Sequence, residues 1–458
     1  MVANASQRRA LILAAAAFCF FFCVMPFAGT RHLLGDIELR EQLAATTASK
    51  RPVRLDDPLP IGQHVLLEHS YIQQSAEYLE YTSKLMQSTT HDAVLSLQSI
   101  PGRTEMQLLP EAFYTGNVSS KTAVRGSGYS ATTRYWLHRA CLPTASLVPF
   151  MGAPTAPPEA RRRVMVVCGM HARELITSDF CRLWMLQAAA AHARITASND
   201  GTCHDDALPG RSIAPIDWLI VPVSNEQGRN LVTRARKEWQ FDDGSTTTET
   251  TREQGNMCFR GNLFGVDLNR NWPTPTPRPV TYQIGHEEYP GPSALSEPET
   301  VNLHKLISAF QPDVLLAVHS GEYAILTPYD DGQQEDSPVP RGLLLKVANW
   351  MAALSKCKTI KCLVGTGGTQ LGLSYGTMGD FAYRNGLALF PFTLEIYAGN
   401  TSGARKDAPP DECFDFFNPL NVGAAVQRWS GLWRGWYYMS ERDQTYLQQM
   451  ITQMINAV

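Results

Sequence analysis

A chain of 458 residues exceeds the usual single hydrophobic core, yet one large α/β domain with insertions accounts for most of it. Its 40 Lys and Arg against 43 Asp and Glu leave a formal charge of −3, with no like-charged block to form a nucleic-acid tail, which argues against a nucleic-acid partner. At 44% hydrophobic and 18% charged residues, general disorder is excluded.

Arg8 and Arg9 precede an uncharged apolar run over residues 10–29, so residues 1–29 read as a signal peptide or an uncleaved signal anchor. Either puts the rest of the chain in the secretory pathway, secreted or membrane-anchored with its bulk outside the cytosol. Residues 30–70, polar and punctuated by proline, read as a linker or stalk, and 71–440 as a globular domain. Leu79, Tyr81 and Leu85 suit an early helix; "RYWLHRACL" is strand-like. Residues 163–170 form a β-branched run before "ITSDFCRLWMLQAAAAHA", whose Ala, Leu and Met favour a helix. "IDWLIVPVSN", "PDVLLAVHS" and "ALFPFTLEIY" are further short apolar runs, suited to strands buried on both faces of a mostly parallel or mixed sheet. Ser296 is placed to cap a helix reciprocally with Glu299, and Pro298 suits its first turn. Residues 242–256 read as a Thr-rich exposed loop and 441–458 as a C-terminal helical extension.

Two of the ten cysteines lie in the apolar run, and the remaining eight are even in number, which permits disulfides without dictating their pairing. Cys357 and Cys362 can close a short loop, whereas Cys168 and Cys181 read as buried small hydrophobes. No Cys-x-x-Cys pair occurs, which disfavours a thiolate zinc site. Asn117 and Asn400 lie in glycosylation sequons.

Three segments carry chemistry. "VVCGMHARELITSDF" sets His171 and Glu174 three residues apart just past a strand, where α/β sheets bind ligands, and "VLLAVHSGEY" ends another buried run on His319. Two imidazoles and one carboxylate are a three-ligand set for a divalent metal with a coordination position to spare. "CFRGNLFGVDLNRNWP" concentrates Arg260, Asn269 and Arg270, a guanidinium and amide pattern suited to gripping a carboxylate. In "FPFTLEIYAGN", Glu395 interrupts an apolar strand, where an unpaired carboxylate is costly and a proton-transfer role would account for it.

Together "MHARE", "GVDLNRNW", "YPGPSALSEPET", "VHSGEY" and "FTLEIY" resemble, in order and spacing, the segments of the zinc metallocarboxypeptidases of the carboxypeptidase A superfamily (peptidase family M14). The resemblance implies an α/β fold, an α/β/α sandwich around a twisted mixed sheet, and one Zn2+ held by His171, Glu174 and His319. It implies hydrolysis of the C-terminal peptide bond of peptides or proteins by a zinc-bound water that Glu395 activates, with Arg260 stabilising the oxyanion. Asn269 and Arg270 would bind the terminal carboxylate, and Arg173 would assist further out. Where the family places a mobile tyrosine this chain has Gly372, leaving Tyr375 as the nearest substitute, and the specificity position falls on Gly379. Gly379 supplies neither a carboxylate nor an apolar wall, so the preferred terminal residue stays open. A monomer without a folded prodomain is expected. The alternatives are a zinc deacylase of the aspartoacylase type and a silent peptide-binding module; the retained zinc ligands and Glu395 weigh against the latter.

Overall fold

The computed structural model describes residues 113–121, 129–140 and, with short breaks, 162–437. The expected N-terminal segment, the stalk, the early helix, the Thr-rich insertion through residue 255 and the extension at 441–458 lie outside the described residues.

Eight strands make one mixed sheet: β1 (Phe113–Lys121), β2 (Ser130–Arg139), β3 (Arg162–Val167), β7 (Ile216–Val221), β8 (Val314–His319), β9 (Glu322–Thr327), β10 (Leu363–Thr366) and β11 (Phe390–Tyr397), ordered β1-β2-β7-β3-β8-β11-β9-β10. The centre β7-β3-β8-β11 is parallel. β2 joins β7, and β9 joins β11, in antiparallel register. β4 (Ile195–Ala197), β5 (Cys203–Asp205) and β6 (Ser212–Ile213) form a separate small sheet. Every residue of β8 is buried, as expected of a strand covered on both faces.

Alternation along the central strands divides the core in two. Val164, Val166, Leu316 and Val318 pack with Ile176 and Trp184 of α1 (Leu175–His192), Leu344 and Val347 of α4 (Arg341–Leu354) and Leu432 of α9 (Ser430–Tyr437). The intervening Met165, Val167, Leu315 and Ala317 pack with Leu306 and Ile307 of α3 (Pro298–Phe310) and Phe381 of α7 (Met378–Arg384). Helices therefore cover both faces of the sheet, the α/β/α arrangement expected. The remaining helices are α2 (Glu226–Phe241), the short α5 (Cys357–Ile360) and α6 (Gly367–Gln370), and α8 (Pro410–Phe417). No helix among the described residues is long and apolar enough to cross a membrane.

Two local expectations are corrected. Ser296 does not cap α3: Glu297 holds the N-cap position without a side-chain cap bond. The buried Ser296 hydroxyl instead donates to Glu297 Oε1 (2.8 Å) and accepts from Asn271 Nδ2 (2.9 Å), while Glu299 accepts from the Tyr129 hydroxyl. Tertiary partners thus outcompete the reciprocal cap. Cys168 and Cys181 are not simply packed but form a disulfide that ties the end of β3 to α1. Cys357–Cys362 closes the expected short loop, and Cys258–Cys413 joins the segment before Arg260 to α8 across 155 residues.

Candidate active site

The site lies where the carboxyl ends of β3, β8 and β11 meet. Past β3 the chain turns at Gly169 with φ +64°, where a Cβ would lie 2.8 Å from Ser178 Oγ, so glycine is required on both backbone and steric grounds. The turn delivers His171 and Glu174 to the entrance of α1. His319 is the last residue of β8, and the parallel register with β11 sets Glu395 directly opposite it. Strand pairing thereby converts a separation of 76 residues into adjacency.

His171, Glu174 and His319 are all buried and present one ligand atom each within 4.8 Å of one another. Glu174 Oε1 is 2.7 Å from His171 Nδ1, Glu174 Oε2 is 3.1 Å from His319 Nδ1, and the two Nδ1 atoms are 3.1 Å apart. Donors around a tetrahedral zinc at 2.0–2.1 Å stand about 3.3 Å from one another, so the spacing suits that ion. Two imidazole nitrogens aimed at one point cannot both carry protons, and a cation between them resolves the conflict. The donor set therefore fits zinc.

A second layer orients the first. Buried Asp267 accepts from His171 Nε2 (3.1 Å) and Arg260 Nε (2.8 Å), fixing the ring so that Nδ1 faces inward. Burial by itself would raise the Asp267 pKa, but Arg260 and His171 hold it well below the carboxylate range. Burial would likewise raise Glu174, yet His171 and His319 keep it low, and the Ser320 N–H donates to its Oε2 (3.2 Å). Arg260 Nη1 also stands 3.8 Å from Glu174 Oε1; Asp267 and Glu174 outweigh burial and raise its pKa.

His171, Glu174, Arg260, His319 and Ser320 line a cavity of roughly 360 Å³, whose wall also includes Glu395, Asn269, Leu326, Asp330, Ser374 and Phe417. Burial pushes Glu395 up to about 8, with Glu174 adding to the effect against His319 and Arg260. Its Oε2 finds no hydrogen-bond partner among the described residues. Asn269 Oδ1 accepts from the Met378 N–H (3.0 Å). Arg270 stands just behind the wall: Nη2 donates to Ser374 Oγ (3.0 Å) and to Glu288 Oε1 (2.5 Å). Arg173 donates to Glu287 Oε2 (3.0 Å) and lies 4.2 Å over the Phe417 ring. Tyr375 and Gly379 are not among the described residues that line the cavity; Gly372 and Ser374 stand in the wall there, and a Cβ on Gly379 would meet open space.

Three contributing residues carry no signal in the sequence, and a fourth, Asp267, reads there only as half of a structural Arg–Asp pair in a polar turn, a pair the structure contains with Arg260. Glu288 sits in a Pro- and Gly-rich loop with nothing local to mark it. Asp330 follows β9 in "TPYDDG", which reads as an ordinary turn. Asn418, at the end of α8, accepts from the Ile176 N–H (3.1 Å) and donates to the Arg173 carbonyl (2.8 Å), clamping the first motif from 242 residues away.

The family model described as zinc carboxypeptidase matches residues 147–412, more than half of the chain. Human carboxypeptidase O is 26% identical over 247 residues, covering 53% of this chain and 59% of that protein; human carboxypeptidase A6 is 26% identical over 241 residues, covering 52% and 49%. The chain thus spans about half the length of the curated relatives it matches. Among solved structures, bovine thrombin-activatable fibrinolysis inhibitor in complex with tick carboxypeptidase inhibitor aligns with a TM-score of 0.48 at 17% identity, covering 77% of this chain and 93% of that one. The extent of the family match, over the segment that carries the metal donors and Glu395, establishes that this chain belongs to the zinc carboxypeptidase family.

Proposed function

We propose that the protein is a zinc-dependent metallocarboxypeptidase that hydrolyses the C-terminal peptide bond of peptides or proteins. The convergence of His171, Glu174 and His319 at one end of a cavity, with Glu395 in register opposite His319, carries this reading. One zinc held by the three ligands would polarise the scissile carbonyl and acidify the attacking water. Glu395 takes the proton from that water and returns it to the leaving amine, as base and then acid; its raised pKa and free oxygen suit both directions. Arg260, held by Asp267, presents its guanidinium to the oxyanion. Asn269 and Arg270 receive the substrate carboxylate, which takes over contacts that Glu288 and Ser374 make in the free protein. Arg173 supports the peptide further out, beside Phe417.

Peptides with a free C-terminus, assayed beside their amidated twins with zinc measured on the same sample, test the reading. Cleavage confined to the free-carboxylate series is expected. Deacylation of short acyl amino acids without peptide cleavage would favour the aspartoacylase-type alternative, and bound peptide without turnover a silent binding module. His171→Ala is expected to remove the zinc; stoichiometric zinc in the His171→Ala, His319→Ala double variant would refute the ligand set.

The basic-then-apolar N-terminus, the disulfides and the exposed sequon residues Asn117 and Asn400 support an extracellular or lumenal catalytic domain. Membrane attachment would come through residues 1–29 if they remain uncleaved. A mobility shift on glycosidase treatment is expected; no shift, with protease access from the cytosolic side, would contradict this.

A further inference from the structure

In the free protein, one loop segment occupies both guanidiniums assigned above to the substrate. Its consecutive carboxylates take one each: Glu287 Oε2 accepts from Arg173 Nη1 (3.0 Å), and Glu288 Oε1 from Arg270 Nη2 (2.5 Å). A peptide C-terminus offers Arg270 the same kind of group, so Glu288 and the substrate compete for it. Behind this contact the segment is pinned. The Asp267 N–H donates to the Tyr289 carbonyl (2.8 Å), and Asn271 Nδ2 to the Pro290 carbonyl (2.7 Å). Ahead of it the chain runs out to solvent, with Ile284 76% exposed. Residues 282–289 thus form a strap, held at one end, across the carboxylate anchor.

The strap keeps this shape only while one imidazole is neutral. The Glu288 N–H donates to His286 Nδ1 (3.1 Å), which requires a lone pair on that nitrogen rather than a proton. Tyr282 holds the imidazole in place, stacked on it at 3.9 Å between ring centroids and 7° between planes. The His286 backbone is fixed as well: its N–H donates to the Gln283 carbonyl (3.1 Å), and its carbonyl accepts from the Tyr289 N–H (3.0 Å). The Glu288 charge raises the pKa of the Tyr282 phenol, so that hydroxyl lies close to the same carboxylate. Protonating His286 sets its Nδ1–H against the Glu288 N–H, donor facing donor, and opens the turn that aims Glu288 at Arg270. The new positive charge also draws the adjacent carboxylates of Glu287 and Glu288 towards the ring, while the stack on Tyr282 persists as a cation–π contact. The other charges beside Glu288 are Arg270, Arg278, which donates to the Arg270 carbonyl, and Asp267, which is held well below the carboxylate range. Of these side-chain types, imidazole is the one that changes charge between about pH 5 and pH 8.

We infer that residues 282–289 are a pH-sensitive autoinhibitory strap: with His286 neutral, Glu288 occupies the carboxylate anchor at Arg270, and with His286 protonated it yields that anchor to the substrate's C-terminus. This rests on the carboxypeptidase reading above and adds its regulation.

The test measures KM of the zinc-loaded full chain for a free-carboxylate peptide from about pH 5 to about pH 8, in the parent, His286→Asn and Glu288→Gln. Asparagine presents a side-chain oxygen to the N–H two residues on and does not titrate, so it keeps the strap closed at every pH. Dividing the parent KM by that of His286→Asn at each pH cancels the titration of Glu395, which both proteins share. The two KM values should agree at the alkaline end, and the parent's should fall roughly 10-fold below the variant's at the acid end, the scale of one hydrogen bond between charged groups. Glu288→Gln should have a KM below the parent's at the alkaline end and equal to it at the acid end. A parent-to-His286→Asn ratio that is constant across the range overturns the inference, and so does a constant parent-to-Glu288→Gln ratio; both results leave the carboxypeptidase reading intact. Failure of the parent to cleave any free-carboxylate peptide overturns both. Should neither variant fold, the parent's inhibition constants for an uncleaved peptide ending in a D-amino acid and for its amide decide the matter. A fall towards acid pH in the free acid alone is expected, and parallel behaviour of the two counts against the strap.

Discussion

Replacing Glu395 by glutamine removes a carboxylate whose pKa folding raises from 4.5 to about 8, chiefly by burial and secondarily by Glu174. Between those values the native state holds a proton that the unfolded chain has released, so stability falls as pH rises through this window. Below pH 4.5 both states are protonated and the penalty is absent; above pH 8 it is complete. At about 1.4 kcal/mol per tenfold change in proton affinity, it reaches up to about 5 kcal/mol in the metal-free protein. Glutamine does not titrate and carries no such penalty. Glu395→Gln should therefore match the parent near pH 4.5 and exceed it progressively towards pH 8, in urea unfolding of the chelator-treated proteins at several pH values. The same substitution should lower kcat of the zinc-loaded enzyme by roughly 10²-fold or more, with peptide affinity nearly intact. A stability difference that stays constant from pH 5 to pH 8 would refute the electrostatic reasoning. Parent-level turnover by the zinc-loaded variant would refute the catalytic role.

Asp267→Asn should weaken zinc binding by roughly 10- to 100-fold, because the amide has one oxygen where two serve His171 and Arg260 and lacks the charge that makes the ring a stronger ligand; competition with a chromophoric chelator measures it, and unchanged affinity would count against that support. Arg270→Ala should mainly raise KM for free-carboxylate peptides and narrow their advantage over amidated ones, whereas Glu288→Gln, by releasing the guanidinium, should lower that KM. Changing both Cys258 and Cys413 to serine opens a loop of 155 residues and should reduce the unfolding free energy by about 2–5 kcal/mol in denaturant titrations, with any loss of activity traced to the Arg260 segment it tethers.

His171, Glu174, His319 and Glu395 were legible in the sequence as a set: His319 ends an apolar run and Glu395 interrupts one, while the three-residue spacing of His171 and Glu174 just past a strand gains its weight from that company and from the family resemblance. The same runs announced the buried strands, and their separation by helical stretches announced a layered α/β fold. What stayed hidden depends on segments distant in the chain. Cys168 and Cys181 satisfy the description of buried hydrophobes until α1 packs back against β3 and brings their sulfurs together. Ser296 has the local signature of a helix cap, but Asn271, 25 residues earlier, claims its hydroxyl. Asp267 acquires meaning through His171, 96 residues away, and Asp330 through Gly367 and Asp380 on elements that follow it. Residue type and period act over one turn or one strand, so a sequence reports them directly. The direction in which a loop side chain points is settled by packing and hydrogen bonds across the whole fold, which is why the candidate metal donors and Glu395 could be read from the chain while the contact of Asp267 with His171 and the place of Asp330 in the cavity wall emerged from the tertiary structure.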